Sequence, residues 1–273
     1  VLGCPILKNS DDFFDYYDFT YENIGLNDEN YTDFTVKENV ACFTYVAEIS
    51  GFLAGYGVTV DGYTSFGFTG GGAGTNAAVN RFASGYIQGI NAAAAELGET
   101  VDVVVSFQYG AGFAPSAELQ TQISGWLSNG TQVVFSCGGG MLQSVKAAAA
   151  ENPDVKLIGV DVDQSGECDQ VITSATKNLQ ASVVRTLTQW AEGKWDAELA
   201  DVTLKLGAAE NGVNLPTADG SWRFAKFTQD QYNKMFATED IHDKAVIIWI
   251  CSKTTKSIKD IENDLITLSK EDF

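Results

Sequence analysis

Two carboxylates and one cation carry the sharpest chemistry in this chain. In KLIGVDVDQSGECDQVITSATKN (residues 156–178), Asp161 and Asp163 close a run with strand character. Lys177 closes a second such run, VITSATK. Side chains at i and i+2 of a strand project to the same face, so both carboxylates are expected on one side. A pair of that kind could hold a divalent cation, given further oxygen ligands, as in hydrolases that cleave nucleosides. One carboxylate could instead accept both hydrogen bonds of a vicinal diol such as a ribose. A third reading has one Asp capping the turn that follows. Lys177 could pair with Asp161, donate to a ligand hydroxyl, or sit in solvent at a helix start. Open α/β sheets present ligand groups at the carboxyl ends of their strands. Asp161 and Lys177 are therefore expected to face one cleft and bind a small polar ligand.

Two glycine-rich stretches accompany them, GGGAG at 70–74 and Gly138–Gly140. Neither is a dinucleotide fingerprint. Thr75 stands where the first would need a small residue, and no acidic residue closes a strand about 20 residues on. No phosphate-binding G-x-x-x-x-G-K-[ST] loop is present, and no cofactor is expected. The glycines instead permit a sharp turn or a close backbone approach to a ligand at a helix start. Aromatic residues lie near these loops. Phe107 and Phe135 fall inside strands and read as core. Phe113 follows Gly110 and Gly112 in a loop, where a flat ring can stack on a nucleobase. The one histidine, His242, lies among charges in TEDIHDKAV. That setting gives no support to a Ser-His-Asp or Cys-His unit, and no enzyme is expected.

Strands and helices alternate around these residues. ENVACFTYVAEISGFLAGYGVTV contains a helix, with Val46, Ile49, Phe52, Leu53 and Tyr56 at helical spacing. Its Gly51 and Gly55 lie one turn apart and permit close helix contact. Residues 64–98 read as strand, glycine loop and helix, with Val79, Phe82, Tyr86, Ile90 and Ala93 as the apolar stripe. Further strands are expected at 101–107, 131–137 and 156–163, with helices between them. In the helix after Lys177, Val183, Leu187 and Trp190 share a face. AVIIWICS (245–252) is a candidate strand and KDIENDLITLSKEDF (259–273) a candidate helix. This alternation implies parallel sheets built from right-handed βαβ units.

The totals agree with such a protein. A chain of 273 residues with 45% apolar composition suits two domains. A net charge of −19, with 17 Lys and Arg in total, argues against nucleic acid as a partner. No apolar run approaches the roughly 20 residues of a membrane helix. VLGCPILKN at the start has no basic segment and too short an apolar run for a signal peptide. The five cysteines form no C-x-x-C pair and no zinc spacing, so buried free thiols are expected.

EISGFLAGY (48–56), SFGFTGG (65–71), VNRFASGYIQG (79–89), YGAGF (109–113), VVFSCGGG (133–140), IGVDVDQ (158–164) and VITSATKN (171–178) occur in a telling order. Together they resemble the basic membrane protein family, nucleoside-binding lipoproteins that serve ABC transporters. The resemblance implies an α/β fold of the type I periplasmic-binding-protein kind: two lobes, parallel sheets, a hinge and a cleft. It implies lobes formed by residues 1–98 plus about 179–200, and by 99–178 plus about 201–273. It implies that Asp161 and Lys177 bind ribose hydroxyls, that Phe113 stacks on the base, and that Gly138 and Gly139 line the cleft. In FTYENIG (19–25), Glu22 or Asn23 would contact the base, and CPIL (4–7) would line the cleft. The family's first βα unit has no counterpart before Val1, which suggests a partner polypeptide that completes the lobe. The implied partners are a purine nucleoside and a transporter permease. The implied location is extracytoplasmic, with a lipid anchor on a segment outside this sequence. A ligand-sensing module of a regulator is the second reading, and a metal-dependent nucleoside hydrolase the third.

Overall fold

The computed structural model describes residues 6–7, 40–74, 76–107 and 112–236. Glu22, Asn23, Cys4, His242 and the candidate elements at 245–252 and 259–273 lie outside the described residues.

Two sheets are present. The first has three strands in the order β1 (Ile6–Leu7), β2 (Val40–Tyr45) and β8 (Val202–Leu206). β1 runs antiparallel to β2, and β2 pairs in parallel with β8, Ala41 opposite Val202. The second has six strands in the order β4-β3-β5-β6-β7-β9. Its members are β3 (Ser65–Gly70), β4 (Asp102–Phe107), β5 (Val133–Cys137), β6 (Lys156–Asp161), β7 (Val171–Lys177) and β9 (Val213–Asn214). All its pairings are parallel except β7 with β9. Parallel neighbours joined through helices confirm the α/β expectation.

The expected lobe boundaries place residues 65–97 in the first lobe and β8 in the second. β3 pairs with both β4 and β5 in the six-stranded sheet, and β8 pairs with β2. Strand partners are set by long-range register, which the local pattern around Gly62 does not reveal.

The strands of the six-stranded sheet read as apolar runs because helices cover both faces. On one face lie α1 (Ala47–Val60) and α2 (Ala77–Leu97), over Phe66, Phe68, Phe135, Ile158 and Ile172. On the other lie α3 (Ala117–Ser128) and α4 (Leu142–Ala149), over Val134, Leu157 and Val171. Consecutive residues such as Val134 and Phe135 thus serve opposite cores, as the two-residue period of a strand requires.

α1 is buried nearly all round rather than along one stripe. Its glycines mesh with those of α2. A Cβ on Gly51 would meet the Phe82 carbonyl oxygen, one on Gly55 the Tyr86 carbonyl, one on Gly85 the Glu48 carbonyl and one on Gly89 the Phe52 carbonyl. The expected contact at Gly51 and Gly55 is therefore one half of a reciprocal pair of glycine notches. The α2 stripe is as expected, with Val79, Phe82, Tyr86, Ile90 and Ala93 all buried. Asn76 starts this helix, its Oδ1 accepting from Ala78 N at 3.0 Å and Val79 N at 3.1 Å. Gly98 ends it in the left-handed region, φ 70°. α5 (Leu179–Ala191) turns Ser182 and Thr186 inward, whereas Leu187 and Trp190 are half exposed. α6 (Gln229–Phe236) closes the described chain.

The chain passes between the sheets at three places. β2 leads through Val46 into α1, β7 leads through Asn178 into α5, and β8 leads through residues 207–212 into β9. Hydrogen bonds tie these passages together: Val46 N to Leu206 O at 2.9 Å, and Asn178 N to Gly212 O at 2.9 Å.

Candidate functional site

A cleft of about 300 Å³ opens at the carboxyl ends of the six-stranded sheet. That volume lies at the lower end of the range for small-molecule sites, roughly 300–1,000 Å³. Strand ends supply Cys137, Val160, Asp161 and Lys177, and the start of α2 supplies Ala78, Val79 and Phe82 with the N-cap Asn76. The remaining wall is Phe113 with Gly138, Gly139 and Gly140. Five residues singled out in the sequence, Asp161, Lys177, Phe113, Gly138 and Gly139, thus meet in one cleft.

Asp161 ends β6 and Lys177 ends β7, and register places Asp161 opposite Thr176, one residue before Lys177. The Lys177 ammonium lies 2.9 Å from Asp161 Oδ1. The lysine side chain is 4% exposed and that of Asp161 is 32% exposed. Burying an ammonium without a counter-ion would cost several kcal/mol, and the carboxylate offsets that cost. Asp161 Oδ1 is buried and has no well-directed hydrogen bond, so the contact is one of charge. The same ammonium stands 5.2 Å from the centroid of the Phe82 ring. Asp161 itself adopts φ 67°, a left-handed conformation uncommon outside glycine and one that concentrates at functional sites.

That backbone conformation overturns one expectation. Asp161 and Asp163 do not share a strand face, because β6 stops at Asp161 and the chain turns at once, Val162 N donating to Val160 O at 2.8 Å. Asp163 is consumed by the loop. Its Oδ1 accepts from Ser165 N at 2.9 Å, and its Oδ2 accepts from the Ser221 hydroxyl. Partial burial alone would push this carboxyl up. The Ser221 hydroxyl, the Ser165 backbone and side chain, and the charge of Arg223 outweigh that effect and hold it below the ordinary carboxylate range. The reading that one Asp caps the turn therefore applies to Asp163. Among the described residues, no three His, Cys, Asp or Glu side chains come together as a metal site.

Gln164 fastens the same loop. Its Oε1 accepts from Val160 N at 2.8 Å, and its backbone N–H donates to Ser174 Oγ at 3.0 Å. It was not singled out in the sequence, since a glutamine after two aspartates carries no local signal for a bond back to the strand. Phe113 is 42% exposed, and its ring lies over Gly71 and Gly138, where an added Cβ would strike it or Met141. Phe135 is fully buried, as expected of a core residue. Cys137 forms part of the cleft wall as a free thiol pushed up by burial and by the Asp161 charge. Val79 and Phe82 are wall residues that the sequence presents only as helix stripe, and Asn76 carries no local signal for the cleft.

The fold is that of the two-lobe, type I periplasmic-binding-protein class. Two solved solute-binding proteins of ABC transporter systems share this fold. The one from Aeropyrum pernix K1 superposes with TM-score 0.54 at 20% identity, over 86% of this chain and 72% of that chain. The one from Conexibacter woesei DSM 14684 gives TM-score 0.51 at 18% identity, over 78% of this chain and 64% of that chain. A transcriptional activator of the comK gene from Bacillus halodurans has it too, with TM-score 0.53 at 14% identity over 79% of this chain and 66% of that chain.

The family model for ABC transporter substrate-binding proteins of the PnrA-like (Bmp) kind matches residues 18–248, and the chain belongs to this family. It is a family of substrate-binding proteins rather than enzymes. A curated relative, the ABC transporter nucleoside-binding protein BmpA of Lactococcus lactis subsp. cremoris (strain MG1363), is 24% identical over 213 residues. The match covers 71% of this chain and 58% of that protein's length.

Proposed function

We propose that this chain captures a nucleoside, most readily a purine nucleoside, for uptake by an ABC importer on the outer side of the cytoplasmic membrane. The observation that carries the reading is the Asp161–Lys177 pair beside the half-exposed Phe113 ring in one cleft. A carboxylate accepts from both hydroxyls of a ribose, and an ammonium donates to a ribose oxygen. The exposed ring offers a face for the base, worth roughly 1–3 kcal/mol per stacked base in single-strand binders. Gly139 opens onto free space in the cleft wall, while Gly138 seats the Phe113 ring and Met141. The name of the Lactococcus relative points the same way.

In this reading the six-stranded sheet with its helices is one lobe, and the three-stranded sheet with α5 belongs to the other. Bending at the three crossovers closes them over the ligand, and the closed form is the one the permease reads. No helix among the described residues is long and apolar enough to cross a membrane.

Isothermal titration with inosine, adenosine, guanosine and the corresponding free bases tests the reading. Micromolar or tighter binding of a nucleoside, with free bases at least about tenfold weaker, supports it. Absence of heat with all of them defeats it. Release of free base from inosine in the presence of Ca²⁺ would replace it with a hydrolase.

A further inference from the structure

The Lys177 ammonium has three N–H donors, and among the described residues its ion-pair partner is Asp161 Oδ1 at 2.9 Å. On its other side stands the ring of Phe82, 5.2 Å from the nitrogen. Phe82 is 1% exposed and is one of the cleft wall residues. Its ring packs edge-on against Phe135, centroids 6.0 Å apart at 74°. Its backbone carbonyl sits in the notch of Gly51. The ring is therefore held by the core and the α1–α2 contact together, and its position does not depend on a ligand.

The geometry points to Phe82 as a positioning residue that holds the Lys177 ammonium ready for ligand without consuming its hydrogen bonds. An aromatic face attracts a cation through its quadrupole, an attraction of roughly 0.5–2 kcal/mol. It offers no lone pair, so the N–H groups stay free. A second carboxylate or a carbonyl at this place would satisfy those donors, and a ligand hydroxyl would then have to displace it. An aliphatic residue would leave the buried cation leaning on Asp161 alone. The role rests on the nucleoside reading for its purpose, but the ring–ammonium geometry stands without it.

The test uses the whole chain and the variants Phe82→Leu, Phe82→Tyr, Lys177→Met and Phe82→Leu/Lys177→Met. In ¹³C-lysine-labelled protein without ligand, a ring over the ammonium shifts the Lys177 εCH₂ resonances upfield. The resonance is assigned by its loss in Lys177→Met. The upfield shift is expected in the wild type and in Phe82→Tyr, and not in Phe82→Leu. By titration with inosine, Phe82→Leu is expected to weaken binding roughly 2- to 30-fold, the equivalent of the ring–cation attraction. Phe82→Tyr is expected to restore it. In the Lys177→Met background the same Leu substitution is expected to change affinity by less than about 2-fold, because the cycle isolates the pair. A Lys177 resonance without the upfield shift overturns the assignment, and so does a Leu effect that is equally large without Lys177. Failure of the wild type to take up inosine overturns the nucleoside reading alone. The Lys177 spectrum then decides the Phe82 geometry by itself.

Discussion

Two buried ionisable groups are treated in opposite ways. At the crest of the six-stranded sheet, Lys177 has a counter-ion in contact and an aromatic ring behind it. At the crossover from β2 into α1, Glu48 is fully buried and neither carboxylate oxygen has a hydrogen-bond partner. Burial pushes the Glu48 carboxyl up. Its own backbone and the charges of Arg81 on α2 and Lys205 on β8 pull it only part of the way back. The first has a counter-ion in contact. Arg81 on α2 and Lys205 on β8 act on the second by charge, and neither is in ion-pair contact with it. Compensation is thus placed at the cleft, and the passage between the sheets carries an uncompensated group.

The largest test of that contrast removes the compensation. Asp161→Ala leaves the Lys177 ammonium buried without a counter-ion. Chemical denaturation should show a loss of about 2 kcal/mol, less than the 3–5 of a fully buried pair because Asp161 is one-third exposed. Inosine affinity should fall by about 100-fold or more in the same protein. An unchanged stability would mean that the pair contributes nothing to the fold.

The converse substitution should have the opposite sign. Glu48→Gln removes a carboxyl whose charged form burial penalises and should stabilise the protein by about 1–2 kcal/mol at pH 7. The wild-type carboxyl is raised in the folded state, so the native protein binds the extra proton. Its stability is then highest below the ordinary carboxylate range and falls as pH rises through the raised value. Glu48→Gln should remove that part of the fall in thermal midpoint against pH, and an identical curve would refute the assignment.

A smaller effect is expected from the flanking cations. Arg81→Met or Lys205→Met should lower stability at pH 7 by about 0.5–1 kcal/mol, and in the Glu48→Gln background should change it by less than about 0.5. The smallest effect on binding belongs to Asp163. Its carboxyl is lowered, so its contribution is present at neutral pH and is lost as pH falls through the lowered value. Asp163→Asn should shift inosine affinity by less than about 3-fold, and a loss like that of Asp161→Ala would return both carboxylates to one site.

Much of this was legible because the signals are local. The stripe of α2, the runs of β5, β6 and β7, and the placing of Asp161 and Lys177 at strand ends all follow from spacing along the chain. The sheet that each strand joins was not legible, since β3 and β8 take partners far away in sequence. Asp163 was misplaced because a two-residue period assumes that the strand continues, and the left-handed turn at Asp161 stops it. Phe82 was read as core, which it is. That the same ring also faces Lys177, across from β7, is a property of packing that helical spacing does not encode. Glu48 could not be told from a solvated glutamate, because α2, whose Gly85 packs against the Glu48 main chain, lies elsewhere along the chain.

The two sheets also differ in how they must come together in time. β3 to β7 follow one another along the chain, β3 to β6 joined through helices and β6 to β7 by the loop 162–170, so their closures are short. The three-stranded sheet draws β2 and β8 together, Ala41 opposite Val202, only after that whole series has been traversed. Closure of so long a loop is entropically late. The crest that bears Asp161 and Lys177 is then assembled before the partner sheet exists. In pulse-labelled exchange, amides of 65–107 and 133–177 should gain protection ahead of 40–45 and 202–206.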